Sequence, residues 1–200
     1  MIRCLILVLC LLISSPVFAV EYKVLRVVDG DTVYVDFNKN GLADKDERVR
    51  LNGIDAFETH AGNHLDWQMT TYGFSRKEVL TLGYMGMEFA RKKLLGNYVD
   101  VAFTAEDLSD KYGRPLVSIK YNKNKSFERE MLKRGFASVY RLSNKAPGLL
   151  KYEKLSKIKR NAKRSDDYDL QFYNYKTGAY YPINSDEAQN PENKLINIQN

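Results

Sequence analysis

The chain has 200 residues, 44% of them hydrophobic and 28% charged, which is an ordinary globular balance and excludes wholesale disorder. Its length predicts one domain, at most one domain with a tail. Lysine and arginine number 31 against 25 aspartate and glutamate residues, a formal net charge of +6. A basic protein tends to bind something acidic, with nucleic acid the first candidate, but a basic solvated surface gives the same count.

Residues 1–19 have the pattern of a cleaved secretory signal peptide. Arg3 precedes an apolar run from Cys4 to Ile13, too short to span a bilayer as a helix, and Val17 and Ala19 suit a cleavage site. We expect cleavage after Ala19, a secreted protein (periplasmic or extracellular) and no stable membrane association; an uncleaved anchor is the alternative. Both cysteines, Cys4 and Cys10, would leave with this segment, so the mature chain would have no disulfide and no thiolate metal site.

Five segments have the composition of β-strands, most of them alternating apolar and polar residues. In chain order they are 22–28, 32–37, 48–54, 98–104 and 116–121. Asp29-Gly30 predicts a turn after the first strand, and the polar segment 38–46 predicts a loop after the second.

Three helices are predicted, over 88–95, 127–134 and 147–164. In the last, an apolar stripe opposes a basic face. Such a face is usually solvated, and a nucleic-acid track is the alternative. The stripe and the basic face, in that order, consist of Leu149, Tyr152, Leu155, Ile158 and Ala162, and of Lys151, Lys154, Lys157, Lys159, Arg160 and Lys163.

Five short strands and about three helices predict an α+β fold, a five-stranded OB-fold β-barrel capped by helices. This domain would span residues 20–164. Residues 165–200 are rich in Tyr and Asn. We expect 168–182 to pack on the barrel as a strap and the last dozen or so residues to be loose.

Three clusters carry residues suited to chemistry: Asp29-Gly-Asp-Thr32, the stretch from Arg50 to Glu58, and Asp110-Lys-Tyr-Gly-Arg114. Neighbouring carboxylates can hold a hard cation such as Ca²⁺, and another carboxylate can take a proton from water. Arginines present a planar fork to phosphate oxygens. Together these groups suit phosphodiester hydrolysis. Taken singly, each has a plain structural explanation, as a turn residue or a surface charge.

The order of the clusters resembles the staphylococcal nuclease-like family, also called thermonucleases. The resemblance runs from about residue 22 to 164 and is carried by VVDGDTV at 27–33, RLNGIDAFE at 50–58 and DKYGR at 110–114. It implies an OB-fold barrel and Ca²⁺-dependent endonucleolytic cleavage of DNA and RNA that leaves 3′-phosphate ends. No obligate protein partner is evident.

Site roles follow from the same resemblance, position by position. Asp31 and Asp55 would bind calcium through their side chains and Ala56 through its main-chain carbonyl. Glu58 would be the general base or would orient the attacking water. The catalytic arginines would be Arg50 and Arg114, and the substrate contacts would come from Lys111, Tyr112 and Tyr140.

The chain departs from the family pattern in three places. Ala56-Phe57 stands where Thr-Pro is common, so the turn that holds Glu58 lacks a proline. Tyr140 is followed by Arg141 and Ser143, where a second nucleotide-packing tyrosine is expected. Residues 60–85 are longer than expected and contain His60 and His64; we expect an ordinary surface insertion, with an extra metal or substrate lip as the alternative.

The loop between the second and third predicted strands matches the EF-hand loop pattern D-x-[DN]-x-[DN]-G-x5-E. Its oxygen donors would be Asp36, Asn38, Asn40, the Leu42 carbonyl, Asp44 and Glu47, with Gly41 at the sharp turn. Strands flank it where an EF-hand has helices, so its calcium would be structural. A polar hairpin loop is the alternative.

Three functions remain open on the sequence. The leading one is a secreted, calcium-dependent nuclease that prefers single strands and reads no base sequence. The second is an OB-fold module that binds nucleic acid or protein without cutting. The third is a structural calcium-binding surface protein.

Overall fold

The computed structural model describes residues 20–103, 109–122, 124–140 and 147–162, and the backbone of two further strands at 171–174 and 179–182. The predicted signal peptide with both cysteines lies outside these residues, as does most of the 165–200 tail. Within the described part of the chain, no helix is long and apolar enough to cross a membrane.

Five strands close into a barrel, which confirms the predicted α+β fold. They are β1 (Glu21–Val27), β2 (Thr32–Val35), β3 (Arg48–Leu51), β5 (Tyr98–Phe103) and β6 (Leu116–Tyr121), in the order β3-β2-β1-β5-β6. Neighbours are antiparallel, and β6 returns to β3 in parallel, with Arg50 opposite Leu116. Val33 and Val35 of β2 are fully buried, as the alternation predicts, whereas in β5 only Val99 is buried. A short strand β7 (Lys125–Ser126) extends the sheet beyond β6.

The predicted third strand, 48–54, is interrupted at Asn52-Gly53. Gly53 has a φ of +76°, a left-handed conformation that glycine adopts without strain and that turns the chain out of the barrel. The following strand β4 (Ile54–Ala56) pairs with β8 (Ala137–Val139), with Asp55 opposite Ser138. Asp55 is therefore held by a second, two-stranded sheet rather than by the barrel.

The described residues form five α-helices: α1 (Asn63–Tyr72), α2 (Arg76–Leu94), α3 (Phe127–Arg134), α4 (Pro147–Leu150) and α5 (Glu153–Ala162). The bounds of α3 are as predicted. The prediction for 88–95 was wrong at its start, because α2 begins at Arg76 behind a capping box: Ser75 Oγ accepts from the Glu78 N–H, and Glu78 accepts from the Ser75 N–H. This S-x-x-E pattern is visible in the sequence.

The single helix predicted over 147–164 divides into α4 and α5 at a turn in which the Tyr152 N–H donates to the Leu149 carbonyl at 2.9 Å. Its predicted faces are also partly wrong. Leu155 and Ile158 are exposed, whereas Ser156 and Arg160 are buried. Ser156 Oγ donates to the Ala137 carbonyl, and the Arg160 guanidinium lies 4.6 Å from the Tyr72 ring centroid; these polar contacts decide which side faces inward.

In the tail, β9 (Gln171–Asn174) and β10 (Ala179–Pro182) form an antiparallel hairpin. The packing of this segment on the barrel stays a prediction.

Candidate active site

Closure of the barrel brings the two predicted catalytic arginines together. Because β3 and β6 pair in parallel, the Arg50 N–H donates to the Pro115 carbonyl at 2.9 Å, next to Arg114. The Arg114 Nη1 group donates to Thr32 Oγ1 at 3.2 Å, and Thr32 Oγ1 donates to Asp31 Oδ1 at 3.2 Å. Residues more than 80 positions apart thus meet at one end of the barrel.

Arg50 lies between the two predicted calcium-binding aspartates. Its Nη1 atom is 2.6 Å from Asp31 Oδ2, and its Nη2 atom is 3.3 Å from Asp55 Oδ1. All three side chains are nearly inaccessible to water, with exposures of 13% for Arg50, 9% for Asp31 and 8% for Asp55. This ion-paired group joins the start of β2, the middle of β3 and β4.

The turn 29–32 packs directly on β4. The Ala56 N–H donates to Asp31 Oδ2 at 2.5 Å, and the Asp31 N–H donates to Asp29 Oδ1 at 2.9 Å. A Cβ atom on Gly30 would lie 2.8 Å from the Ala56 Cβ atom, closer than van der Waals contact. Glycine is needed here because the two segments approach so closely.

Four carboxylates and Arg50 form what we call the acidic pocket: Asp29, Asp31, Asp55 and Glu58. Burial, together with the charge of Asp31, raises the pKa of Asp29 to about 7. Burial, together with the charges of Asp29 and Asp55, raises the pKa of Glu58 to about 7. Burial also raises the pKa of Asp31, although Arg50 opposes the shift. The single guanidinium therefore does not outweigh burial and mutual repulsion among these acids.

This charge imbalance fits a bound divalent cation. Two carboxylates and a main-chain carbonyl are hard oxygen donors of the kind Ca²⁺ takes. Added positive charge would favour the ionised carboxylates against the burial and mutual repulsion that raise their pKa values. In the part of the chain that the structure describes, no three His, Cys, Asp or Glu side chains converge as a ready-made metal site. A cation here would therefore also need main-chain oxygens, such as the Ala56 carbonyl.

The third predicted cluster is a tight turn that holds Arg114. Asp110 Oδ1 accepts from the N–H groups of Tyr112 and Arg114 at 2.8 and 3.0 Å, and Asp110 Oδ2 lies 2.6 Å from Arg114 Nη2. Burial opposes ionisation, but these hydrogen bonds outweigh it and lower the pKa of Asp110. The carboxylate therefore stays charged and fixes the guanidinium.

The predicted substrate contacts lie at the rim. Tyr112 is 71% exposed, with Lys111 Nζ 4.9 Å and the Arg114 guanidinium 5.4 Å from its ring centroid. Tyr140 is partly exposed, and its N–H donates to the Gly53 carbonyl at 3.0 Å, beside β4. An aromatic ring between two cations is suited to a phosphate-bearing chain.

Comparison with known proteins agrees with this arrangement. A family model described as "Staphylococcal nuclease homologue" matches residues 48–167, which is more than half of the chain. The chain belongs to the staphylococcal nuclease family. The match leaves out β1 and β2, which complete the barrel.

Three relatives were found. An uncharacterised protein of Methanocaldococcus jannaschii is 37% identical over 125 residues, 59% of this chain and 58% of the relative. The thermonuclease of Staphylococcus intermedius is 33% identical over 124 residues, 62% of each chain. The thermonuclease of Staphylococcus hyicus is 30% identical over 116 residues, 58% of this chain and 57% of the relative. The chain thus spans about three-fifths of the length of the curated relatives it matches.

The segment 60–85 is not the ordinary surface insertion that the sequence predicts. It folds into α1 and the first half of α2, and Leu65 and Gln68 of α1 are fully buried. His64 Nε2 lies 3.1 Å from Asp55 Oδ2, and the imidazole stacks on Trp67. The hydrogen bond to Asp55 raises the pKa of His64, with partial burial opposing it. In this nuclease-family protein, α1 is therefore part of the site.

Gln68 is a site residue that sequence reasoning missed. Its Oε1 atom accepts from the Glu58 N–H at 2.9 Å. Its Nε2 atom donates to the Ala56 carbonyl at 2.9 Å and to Asp55 Oδ2 at 3.3 Å. One buried amide thus holds two predicted calcium ligands through its Nε2 atom and the backbone of the predicted base through its Oε1 atom. No sequence motif marks it, because a lone glutamine in a helix has no recognisable spacing.

The same helix explains how the chain manages without the expected proline. Phe57 is buried, and its ring centroid lies 5.5 Å from that of Tyr72 and 5.9 Å from that of Phe74. On the other side, a Cβ on Gly83 of α2 would lie 2.8 Å from the Phe57 carbonyl oxygen and closer still to that of Glu58. Aromatic packing and a close helix contact hold the turn that a proline would otherwise stiffen.

Proposed function

We propose that this protein is a calcium-dependent endonuclease that hydrolyses phosphodiester bonds in DNA and RNA without base-sequence specificity. A single observation carries the proposal: barrel closure unites Arg50, Arg114 and the acidic pocket in a chain of the staphylococcal nuclease family. That combination supplies phosphate binding, a base and cation donors within one site.

Calcium would be held by the carboxylates of Asp31 and Asp55 and by the Ala56 carbonyl. When bound, it would supply positive charge for the phosphate oxygens and the attacking water. The Gln68 amide also donates a hydrogen bond to the Ala56 carbonyl. A carbonyl oxygen has two lone pairs, so it can accept this hydrogen bond and coordinate a cation at the same time.

Glu58 would act as the general base. Its side chain is 24% exposed, so it is open to water, and its backbone N–H is fixed by Gln68. A carboxylate with a pKa of about 7 is a stronger base than an ordinary glutamate and is ionised above neutral pH.

Arg114 would bind the scissile phosphate and stabilise the charge that gathers on it. Asp110 fixes its Nε and Nη2 atoms, so the guanidinium is held in place before substrate arrives. Arg50 would contact the phosphate from its position beside the cation donors Asp31 and Asp55. The products would carry 3′-phosphate ends.

Substrate contacts at the rim would come from Lys111, Tyr112 and Tyr140. We expect single strands to be preferred, because splayed bases expose the scissile phosphate and can stack on aromatic rings. The basic net charge of +6 suits a polyanion, so affinity should fall as salt rises.

The apolar leader at 1–19 supports secretion to the periplasm or the medium.

A non-catalytic OB-fold module that binds nucleic acid is the alternative, and a structural calcium-binding surface protein is a third possibility. The retained carboxylates and arginines favour the enzyme. An Arg114→Ala variant that binds DNA but no longer cuts it would separate an enzyme from both.

The deciding experiment follows cleavage of denatured DNA by the purified protein in calcium and in excess chelator. Glu58→Gln tests the base, and Glu88→Gln, the same change on the exposed face of α2, is the matched control. We expect cleavage to require calcium, to fall by about 10²–10⁴-fold in Glu58→Gln and to persist in Glu88→Gln. Binding of DNA by a parent protein that never cuts it would favour the non-catalytic module.

A further inference from the structure

A second acidic region, the loop from Asp36 to Glu47, lies between β2 and β3 and takes no part in the proposed reaction. We call it the 36–47 loop. It follows the full D-x-[DN]-x-[DN]-G-x5-E spacing and ends in a 3₁₀ turn, Lys45–Glu47, that leads directly into β3. Its acidic and amide side chains stand at the positions that supply oxygen ligands in calcium loops.

The backbone of the loop is curled around its own side chains. Lys39 and Gly41 both have positive φ angles, 61° and 77°. The Gly41 N–H donates to Asp36 Oδ2 at 3.2 Å. Further on, the Asn40 N–H donates to Asn38 Oδ1 at 2.9 Å, and the Leu42 N–H donates to Asn40 Oδ1 at 2.7 Å. Asp36, Asn38 and Asn40, at alternate positions, therefore each accept a hydrogen bond from a main-chain N–H of the loop.

Asp44, later in the loop, contacts both asparagine side chains. Its Oδ2 atom accepts from Asn38 Nδ2 at 3.0 Å and from Asn40 Nδ2 at 2.8 Å. Three of the candidate ligands are thus in mutual contact, although they are separated by up to six residues in the chain.

Glu47 supplies an observation independent of the spacing. The residue is only 3% exposed. Its Oε1 atom accepts from the Asn38 N–H at 3.0 Å, so the carboxylate at the end of the loop contacts the backbone at its start. Its Oε2 atom is buried and accepts no hydrogen bond from the described residues. A buried carboxylate oxygen without a partner is costly, and binding a cation removes that cost.

The charges around the loop point the same way. Asp36 is also buried, at 8% exposure, and its oxygens accept from the Gly41 N–H. Among the described residues, no ion pair involves Asp36, Asp44 or Glu47. Buried carboxylates are usually paired with a cation, and a metal ion can take that role.

We propose that the 36–47 loop binds a structural calcium ion, separate from the cation of the acidic pocket. Asp36, Asn38, Asn40 and Asp44 would contribute side-chain oxygens, Leu42 its carbonyl, and Glu47 both carboxylate oxygens. In the described residues no three His, Cys, Asp or Glu side chains are placed to hold a metal ion by themselves, so the amide and main-chain oxygens are integral to this site.

The ligand set favours Ca²⁺ over Mg²⁺. Ca²⁺ takes six to eight oxygens in flexible geometry and accepts a bidentate carboxylate, whereas Mg²⁺ requires near-octahedral geometry and retains water. The ion would connect the end of β2 to the start of β3, three residues before Arg50. It would therefore stabilise the strand that carries one catalytic arginine without touching the substrate.

The test counts bound calcium by isothermal titration calorimetry of the purified, chelator-treated protein. Glu47→Gln removes the charge of the buried ligand. Asp46→Asn removes a charge from the same loop at an exposed position that supplies no ligand. Asp31→Asn combined with Asp55→Asn removes the pocket ligands, so that the loop is measured alone.

We expect two ions per parent chain, two for Asp46→Asn, and one each for Glu47→Gln and the pocket double variant. In the double variant, calcium should still raise the melting temperature, and magnesium at the same concentration should not. Adding Asp36→Ala to that background should abolish the rise. Asp36→Ala in the otherwise unaltered chain should lower the melting temperature in calcium yet leave nuclease activity measurable.

The proposal is overturned if Glu47→Gln titrates like Asp46→Asn, or if the double variant binds no calcium. Should Glu47→Gln fail to fold, Asn40→Ala replaces it, because Asn40 is exposed and its loss leaves the core intact. Counting ions does not depend on cleavage, so a parent protein without nuclease activity would leave this test unaffected.

Discussion

The acidic pocket and the 36–47 loop each gather several carboxylates, but the protein neutralises them in different ways. In the pocket, the Arg50 guanidinium pairs with Asp31 and Asp55. In the loop, main-chain N–H groups and asparagine amides contact the acids, and one oxygen of Glu47 has no described partner. The pocket thus contains a permanent cation, whereas none of the described basic side chains pairs with the loop acids.

This difference predicts different consequences of calcium removal. The pocket would remain folded around Arg50 but would lose its chemistry. The loop would lose the cation that satisfies its buried acids, and the cost would fall on stability. Activity should therefore report on the pocket, and the melting temperature mainly on the loop.

The largest expected effect comes from removing the pocket's own cation. Arg50→Ala leaves the buried carboxylates of Asp31 and Asp55 without the guanidinium they share, which should lower the free energy of unfolding by about 3–5 kcal/mol. Arg114→Ala should cost less stability, since its partner Asp110 is nearer the surface. Both should reduce cleavage by about 10²-fold or more.

Urea unfolding in chelator measures the stabilities, and initial rates on denatured DNA measure the activities. Equal stability losses for the two variants would mean that Arg50 does not neutralise the pocket. Calcium should recover part of the stability of Arg50→Ala and little of that of Arg114→Ala.

A smaller effect is expected from the amide that fixes the pocket. Gln68→Leu keeps the side chain near its original size but leaves the Glu58 N–H and the Ala56 carbonyl without this partner. An unsatisfied buried polar group costs about 1–3 kcal/mol. If Gln68 positions the base, kcat should fall about tenfold or more while KM changes little.

Thr70→Ala, on the exposed side of the same helix, is the matched control and should leave both constants unchanged. A variant that loses stability but keeps its kcat would restrict Gln68 to a structural role. Partial recovery of kcat in Gln68→Asn would support the positioning role, since the shorter amide offers the same donor and acceptor.

The smallest expected effect is a dependence of the protein's free energy of unfolding on pH, caused by the pocket carboxylates. The folded-state pKa values of Asp29 and Glu58 are raised to about 7. The folded protein therefore holds protons that the unfolded chain releases near pH 4, and the associated stability is lost as the pH rises through 7. In chelator, the protein should be more stable at pH 5.5 than at pH 7.5.

Denaturant midpoints at the two pH values measure this difference. Calcium should reduce it, because a cation in the pocket favours the ionised carboxylates. Asp29→Asn should also reduce it. A midpoint that rises between pH 5.5 and 7.5 in chelator would contradict the charge imbalance inferred for the pocket.

Much of the molecule could be predicted from local patterns. The alternation of Val33 and Val35 placed β2, the turn at Asp29-Gly30 separated it from β1, and α3 begins at Phe127 and ends at Arg134 as expected. Side chains close in sequence decide these elements, so they can be predicted without knowledge of tertiary contacts. The capping box of Ser75 and Glu78 also marks the start of α2 in the sequence.

Other features had no local cause. Leu155 and Ile158 suit a buried face by their periodicity, yet α5 turns Ser156 and Arg160 inward because the Ala137 carbonyl and the Tyr72 ring lie there. Helix α1 joins the site because its Tyr72 packs on the buried Phe57 ring and its Gln68 hydrogen-bonds to three backbone and side-chain groups.

The sequence by itself determined the family, the barrel and the identity of the charged residues, because motif words and alternation depend on neighbours along the chain. Only the tertiary structure decided that Arg50 lies between Asp31 and Asp55, that Gln68 holds the turn before Glu58, and that a Glu47 oxygen is buried without a described partner. These relations join residues 5 to 19 positions apart or set the burial of one atom. Packing fixes them, since the energy of a charge or an amide depends on what surrounds it in space.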